Sequence, residues 1–480
     1  MSERHLQAKI VKLKGQLKKR NAAYRGLRQR HKELSASYLH QKEKVRMLRR
    51  RLDNPRQGIN SKAVFSPVGV KIARHKYDLQ LISLCVRLYA FAGCSFRGVL
   101  RVLYCFQLEM GLRWSELPSK SSVENWVQKL GYHTYLQYGQ DLFATDYCLV
   151  IDESIVIGQQ RMLLVLGLAA HKAGEEALSL GDVRVLGLEV KPAWSGADIA
   201  AVVQKVQEKM GKSARYAISD GGSNLKKGIA DVGLVRVCDV GHELAKILEH
   251  TYQSDPIFNA FTKMVAQLKF KEVLKQTAYL LPPKQRTIAR FMNLSPLFEW
   301  AAKMLRTLPH LSLPEQQVFS CLTEYRALIV EMEAVFKMIN QLLTVFKKQG
   351  ISIPIIEQCL SICQQYAKNI PSALSERIKK YLAEEKSKLP DQHTVWNASS
   401  DVIESLFGKF KSRKAPNNLH GITPLCLTLC VYTHFGDHFS EMKPEIAQAL
   451  KEVSMADLTN WKRGHLTENQ VVKRNKTLKK

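Results

Sequence analysis

The chain has 480 residues, of which 45% are hydrophobic; this length and composition exclude an intrinsically disordered protein and predict about three domains. Lys and Arg outnumber Asp and Glu by 72 to 43, so the net charge is +29. An excess of this size points to nucleic acid, with an anionic membrane as the rival partner, because phosphate groups attract Lys and Arg and release condensed counterions.

The sequence predicts a soluble protein that acts inside the cell. No apolar run approaches the roughly 18 to 20 residues that a membrane-spanning helix needs, and the charged N-terminus differs from a signal peptide. The ten Cys are scattered without a Cys-x-x-Cys pair, which favours reduced thiols in hydrophobic cores over zinc ligands. We expect localisation in the cytoplasm with the nucleoid if the source is prokaryotic, and otherwise in the nucleus.

Residues 1–56 are predicted to form a basic coiled coil. Apolar residues hold eleven of the fourteen positions that alternate steps of three and four from Leu6 to Leu52, whereas a lone surface helix follows a 3.6-residue period. The segment carries 18 Lys and Arg against 4 Asp and Glu. It is therefore a candidate for homodimerisation, or assembly of a higher oligomer, and for DNA contact. The alternative is a basic helix packed on its own domain.

Residues 75–135 have the pattern of a small helical domain. An apolar-faced helix is followed by two shorter helical segments, for which Ser95 and Ser119 are potential N-caps. The two segments resemble a helix-turn-helix, whose second helix enters the major groove of DNA. This places Lys120, Ser121 and Asn125 among the candidate DNA contacts. A plain three-helix packing domain is the alternative.

An α/β pattern begins near residue 143 and extends to about residue 250. Three apolar runs of strand length predict a meander, and helices and strands then alternate. The predicted strands are 147–158, 161–171, 183–193, 214–220 and 234–240, with helices over 196–210, after Gly221 and from His242.

Residues 251–392 have a helical pattern interrupted by prolines, which we interpret as an all-α insertion. One more helix is predicted over 397–411, so the α/β domain would comprise 143–250 and 393–435. A basic C-terminal segment, 436–480, follows.

Three acidic residues are candidates for chemistry. Asp152 lies in an apolar strand, where a carboxylate is costly unless it is paired, exposed or bound to metal. Asp220 ends a strand at a glycine turn, which is where open sheets bind ligands, although it could instead cap the next helix. Glu404 lies in the helix predicted over 397–411.

The order βββαβαβα, with Asp152 in the first strand, Asp220 just after the fourth and Glu404 in the last helix, resembles the ribonuclease H-like fold of retroviral integrases and DDE-type DNA transposases. The resemblance implies a multidomain protein in which an α/β catalytic domain is interrupted by the helical insertion. It also implies that the three acids bind Mg²⁺ or Mn²⁺, as two ions, and catalyse phosphodiester hydrolysis and strand transfer on double-stranded DNA.

Two further elements match such transposases. Lys411 follows Glu404 at the spacing many of them show, which implies that Lys411, with Lys409 and Arg413, contacts DNA phosphate; a solvated basic face is the alternative. The spacing from Asp239 to His242 matches an Asp-x-x-His element in which the His positions the scissile phosphate, with helix capping as the alternative.

Two other functions compete with a transposase. One is a catalytically silent, transposase-derived DNA-binding protein, and the other is a structure-specific nuclease of the same fold.

Overall fold

The computed structural model describes residues 71–479, apart from 113, 115, 138–141, 143–144, 155, 173–175, 284–293, 414–416 and 437–441. The coiled coil predicted over residues 1–56 lies outside the described residues.

The sheet and the helices around it follow one another in the predicted order. The N-terminal helices are α1 (Leu79–Ala90), α2 (Phe96–Glu109) and α3 (Lys120–Gln137). The α/β elements are β1 (Tyr147–Glu153), β2 (Arg161–Ala169), β3 (Arg184–Lys191), α4 (Gly196–Met210), β4 (Tyr216–Ser219), α5 (Ser223–Asp231), β5 (Val235–Cys238) and α6 (Val240–Tyr252).

The remaining described elements are helical. They are α7 (Pro256–Glu272), α8 (Ser295–Thr307), α9 (Leu313–Phe319), α10 (Arg326–Gln349), α11 (Ile353–Tyr366), α12 (Ser372–Lys386), α13 (Asp401–Arg413), α14 (Thr428–Phe435), α15 (Met442–Glu452), α16 (Met455–His465) and α17 (Gln470–Leu478). Among the residues with described positions, no helix is long and apolar enough to cross a membrane.

The five strands form one mixed sheet in the order β3-β2-β1-β4-β5. Strands β1, β2 and β3 are antiparallel neighbours, whereas β4 is parallel to β1 and β5 is parallel to β4. The predicted order of three antiparallel strands followed by alternating helices and strands is confirmed. Strand β1 ends at Glu153, earlier than predicted, and the chain turns back towards β2 between Ile157 and Gln160.

Side chains of the sheet alternate between two hydrophobic cores, one on each face. Leu149 and Ile151 of β1 belong to the core covered by α4 and α5. Cys148 and Val150 belong to a larger core, which includes residues of α6, α13 and α14. Asp152 continues the second series, so its side chain lies on the face that α6 and α13 cover.

The larger core also includes the first and last helices. Val123 of α3, Ile446 of α15 and Trp461 of α16 are all buried in it. The segments predicted as a helix-turn-helix-like domain and a basic C-terminal segment therefore pack around the same core as the sheet, rather than around cores of their own.

Helices α2 and α3 differ from the helix-turn-helix that we predicted. Ten residues, 110–119, separate them, whereas the motif uses a turn of three or four residues. Helix α3 packs against α1, α14 and α15 and buries Trp126 and Leu130 among others, so most of it belongs to the core. Its first turn, with Lys120 and Ser121, is exposed, and Asn125 is half-buried.

Two helical glycines provide a matched test of this packing. A Cβ added to Gly131 of α3 would lie 2.5 Å from Leu427 O, so we expect Gly131→Ala to lower the free energy of unfolding by roughly 1 to 3 kcal/mol. Gly408 of α13 has open space at the same position, and Gly408→Ala should stabilise the protein by up to about 1 kcal/mol. Urea denaturation measures both; an unchanged or raised stability for Gly131→Ala would contradict the close approach.

Candidate active site

Two of the predicted acids lie side by side on adjacent parallel strands. Ile151 of β1 pairs with Ser219 of β4, and the next residues are Asp152 and Asp220. Neighbouring strands lie about 4.8 Å apart, and both side chains are half-buried. The carboxyl ends of β1 and β4 therefore bring two acids together at one edge of the sheet.

Neither carboxylate forms an ion pair with Lys or Arg in the part of the chain that the structure describes. Asp152 Oδ1 accepts a hydrogen bond from Glu153 N and Asp220 Oδ1 accepts one from Gly222 N, each at 2.8 Å. Burial, together with the negative charge of Asp220, raises the pKa of Asp152 to about 7. The Lys246 ammonium lies beside Gly221 but forms no ion pair with either acid. Two adjacent half-buried carboxylates without a direct cationic partner are unfavourable, so this edge suits a bound cation.

Glu404 and His242 approach the two Asp residues from α13 and α6. Glu404 Oε1 lies 3.2 Å from His242 Nε2; the Glu404 side chain is 45% exposed and that of His242 is 14% exposed. The negative charge of Glu404 raises the pKa of Asp152, and the nearby His242 lowers it. Glu404 and His242 thus lie near enough to Asp152 for their charges to act on it, and Asp220 lies beside Asp152 on the next strand.

Asp239, the residue before α6, connects the start of α6 to the segment that leads into α13. It is 2% exposed; its Oδ1 accepts from His242 N and lies 2.7 Å from His242 Nδ1. Its Oδ2 accepts from Ser400 N at 2.6 Å and from Ser400 Oγ at 2.8 Å. Although burial raises the pKa of Asp239, its bonds to His242 and Ser400 N lower it overall. Asp239 therefore caps α6, orients the His242 ring and fixes the chain that leads into α13.

Two further residues near the site, Ser400 and Arg236, were not predicted from the sequence. Arg236 of β5 donates from Nη1 to Asp220 O at 3.0 Å and to Ser219 O at 3.3 Å. The sequence offers one indication of Arg236, which is its charge inside the apolar run 234–240. That charge alone does not distinguish a solvated side chain from one that binds the neighbouring strand.

The basic residues of α13 fall into two groups. Arg413 donates from Nη1 to Tyr89 O and from Nη2 to Ala90 O, the latter at 3.0 Å, and its guanidinium lies 4.6 Å from the Tyr89 ring centroid. It connects α13 to the end of α1, so we assign it a structural role in place of the predicted DNA contact. Lys409 is exposed and Lys411 half-buried, with ammonium groups near aromatic rings.

The chemistry of the three acids fits Mg²⁺ or Mn²⁺, because these ions prefer carboxylate oxygens as ligands. Within the described ranges, no three His, Cys, Asp or Glu side chains already have the arrangement of a metal site. In this structure Glu404 Oε1 contacts His242 Nε2.

No protein-family model matches the chain, and no curated protein matches its sequence. A chain of a solved structure, the Drosophila P element transposase strand transfer complex, is similar with a TM-score of 0.40 and 13% sequence identity, covering 85% of this chain and 100% of that chain. The proposed function rests on the side chains of the site rather than on this similarity.

Proposed function

We propose that this protein is a metal-dependent DNA transposase, which cuts DNA at the ends of a mobile element and joins the freed ends to target DNA. The observation that carries the proposal is the Asp152 and Asp220 pair, which has no Lys or Arg partner within the described part of the chain and lies close enough to Glu404 for their charges to interact. The strand order and the places of these acids support a ribonuclease H-like catalytic domain.

Asp152, Asp220 and Glu404 would hold the metal ions through their carboxylate oxygens. When bound, two such ions activate the attacking water or 3′-hydroxyl and stabilise the leaving oxygen of the phosphodiester. Glu404 Oε1 lies 3.2 Å from His242 Nε2, so Glu404 would bind metal through its other oxygen, or through both oxygens once the contact with His242 opens. His242, whose Nδ1 is fixed by Asp239, would then present Nε2 to the scissile phosphate.

The proposed partner is double-stranded DNA, which suits the net charge of +29. Lys409 and Lys411 on α13, with Lys120 and Ser121 in the first turn of α3, are the surface groups proposed to contact phosphate, while Asn125 is less accessible. The coil predicted over residues 1–56 would join two copies, so that both element ends are processed together.

The test is a cleavage and joining assay on DNA that carries the sequences flanking this gene, with and without Mg²⁺. We expect both reactions for the unaltered protein with metal, and neither for Asp220→Ala. DNA binding without cleavage in both proteins would favour a catalytically silent DNA-binding protein. Cleavage that ignores the end sequences and produces no joining would favour a structure-specific nuclease.

Lys411 provides a separate test of the DNA-binding face. We expect Lys411→Ala to weaken binding to any sequence and to reduce the slope of log affinity against log salt concentration by about 1, because one phosphate contact is lost. Fluorescence anisotropy titrations at several salt concentrations measure the slope. Lys380→Ala, on the exposed surface of α12, is the control and should leave the slope unchanged. An unchanged slope for Lys411→Ala would favour the solvated-face alternative.

A further inference from the structure

Arg236 holds the backbone that carries Asp220. Its guanidinium donates to the carbonyls of Ser219 and Asp220, at 3.3 and 3.0 Å, and to Cys238 Sγ at 3.0 Å. In the described structure it forms no ion pair with a carboxylate. Because guanidinium is a rigid, planar fork of donors, these bonds fix the end of β4 from the side of β5.

Cys238 joins Arg236 to the helical insertion. Lys388, which follows α12, has its ammonium 3.9 Å from Cys238 Sγ and donates to Glu385 Oε1 at 2.6 Å. The Glu385 side chain is only 1% exposed, and burying a carboxylate is costly even when a cation pairs with it. Two more buried atoms nearby, Glu385 Oε2 and Tyr381 Oη, have no hydrogen-bond partner among the residues that the structure describes. Stability alone does not account for this polar cluster.

We propose that the insertion positions the Asp220 carboxylate through this chain of contacts, from Glu385 and Lys388 through Cys238 to Arg236. These four are positioning residues, since they act on Asp220 and touch no reacting atom. The role of Asp220 as a catalytic acid rests on the proposed function, whereas the contacts that hold it do not.

Hydrogen exchange at residues 219–222 tests the chain without any reaction. The Gly222 amide donates to Asp220 Oδ1, so its protection reports how firmly the carboxylate is held. We expect Arg236→Gln to speed this exchange by about tenfold, and Glu385→Gln to speed it by about threefold, because each change loosens the turn after β4.

Matched controls lie next to β4 and on α12. Arg215→Gln removes an exposed ion pair with Asp146 next to β4, and Glu376→Gln removes an exposed pair with Lys379 on α12. Neither should change exchange at 219–222. If Arg236→Gln does not fold, Arg236→Lys and Cys238→Ala replace it; in the Cys238→Ala protein, the further substitution Glu385→Gln should have no added effect.

Activity provides the second readout. Arg236→Gln should raise the Mg²⁺ concentration needed for half-maximal cleavage while DNA affinity stays unchanged, and Arg236→Lys should restore part of the difference. Unchanged exchange in folded Arg236→Gln would overturn the proposal, as would an effect of Arg236→Gln with none from Glu385→Gln or Cys238→Ala. Changed exchange in a protein that never cleaves DNA would support the contacts and reject the proposed function.

Discussion

Asp152→Asn is expected to lower the rate of DNA cleavage by at least about a thousandfold, because the metal site would lose an anionic oxygen ligand at its centre. Glu153→Gln is the matched control, since Glu153 is the next residue of β1, faces the opposite side of the sheet and pairs with Arg161 at 3.3 Å. It should keep the rate within about twofold. Single-turnover cleavage at saturating Mg²⁺ measures both.

The same assay separates chemistry from folding and binding. Asp152→Asn should bind DNA at least as tightly as the unaltered protein, because the substitution removes a negative charge near the phosphate backbone. Glu404→Gln should behave like Asp152→Asn. Normal cleavage by either variant would disprove the proposed triad, and an equal loss in Glu153→Gln would indicate a structural effect of changes in β1.

Asp239→Ala should cause the largest loss of stability, about 3 to 5 kcal/mol in the free energy of unfolding. The substitution removes the cap of α6 and the carboxylate that binds both His242 and Ser400. The Ser400 N–H and hydroxyl would remain buried without that acceptor, and such groups are costly when unpaired. Urea denaturation at neutral pH measures the loss.

Asp255→Ala is the control for capping alone. Asp255 caps α7 by accepting one hydrogen bond from Phe258 N at 2.7 Å, so its loss should cost about 1 kcal/mol. Equal losses for Asp239→Ala and Asp255→Ala would mean that the bonds to Ser400 and the His242 ring contribute nothing to stability.

The pH dependence of Asp239 has a defined direction. Its pKa is lowered in the folded protein, so its contribution to stability is present above its unfolded-state pKa of about 4 and is lost as pH falls through the lowered value. Asp239→Ala should therefore lose less stability than the unaltered protein when the pH is lowered from about 5 to 3. Denaturant midpoints measured across that range provide the comparison.

Local patterns in the sequence were enough to predict the order of strands and helices around the sheet. These patterns are apolar runs of strand length, a glycine turn after Asp220 and prolines between helices. Each depends only on neighbouring residues, and the structure has the corresponding elements in the predicted order. The unusual position of the Asp152 carboxylate was also evident from the sequence, because a charged residue in an apolar strand is costly unless it is paired, exposed or bound to metal.

The ends of helices were less predictable where a residue distant in the chain determines them. The last helix of the site begins at Asp401 rather than at Asn397, since Asn397 N donates to Tyr216 Oη and Ser400 binds Asp239. These partners come from β4 and the start of α6, and no pattern within residues 397–411 reveals them.

The sequence by itself determined the basic charge, the alternation of strands and helices, and the three acids at places that indicate metal chemistry. Only the tertiary structure decided which residues near those acids form structural hydrogen bonds with other elements. Lys411 and Arg413 are both basic residues of the same predicted helix, but Arg413 donates hydrogen bonds to the carbonyls at the end of α1. Arg236 likewise acquires its role from the backbone of β4. A side chain's identity sets what it can donate or accept, whereas its partners depend on contacts between segments far apart in the chain.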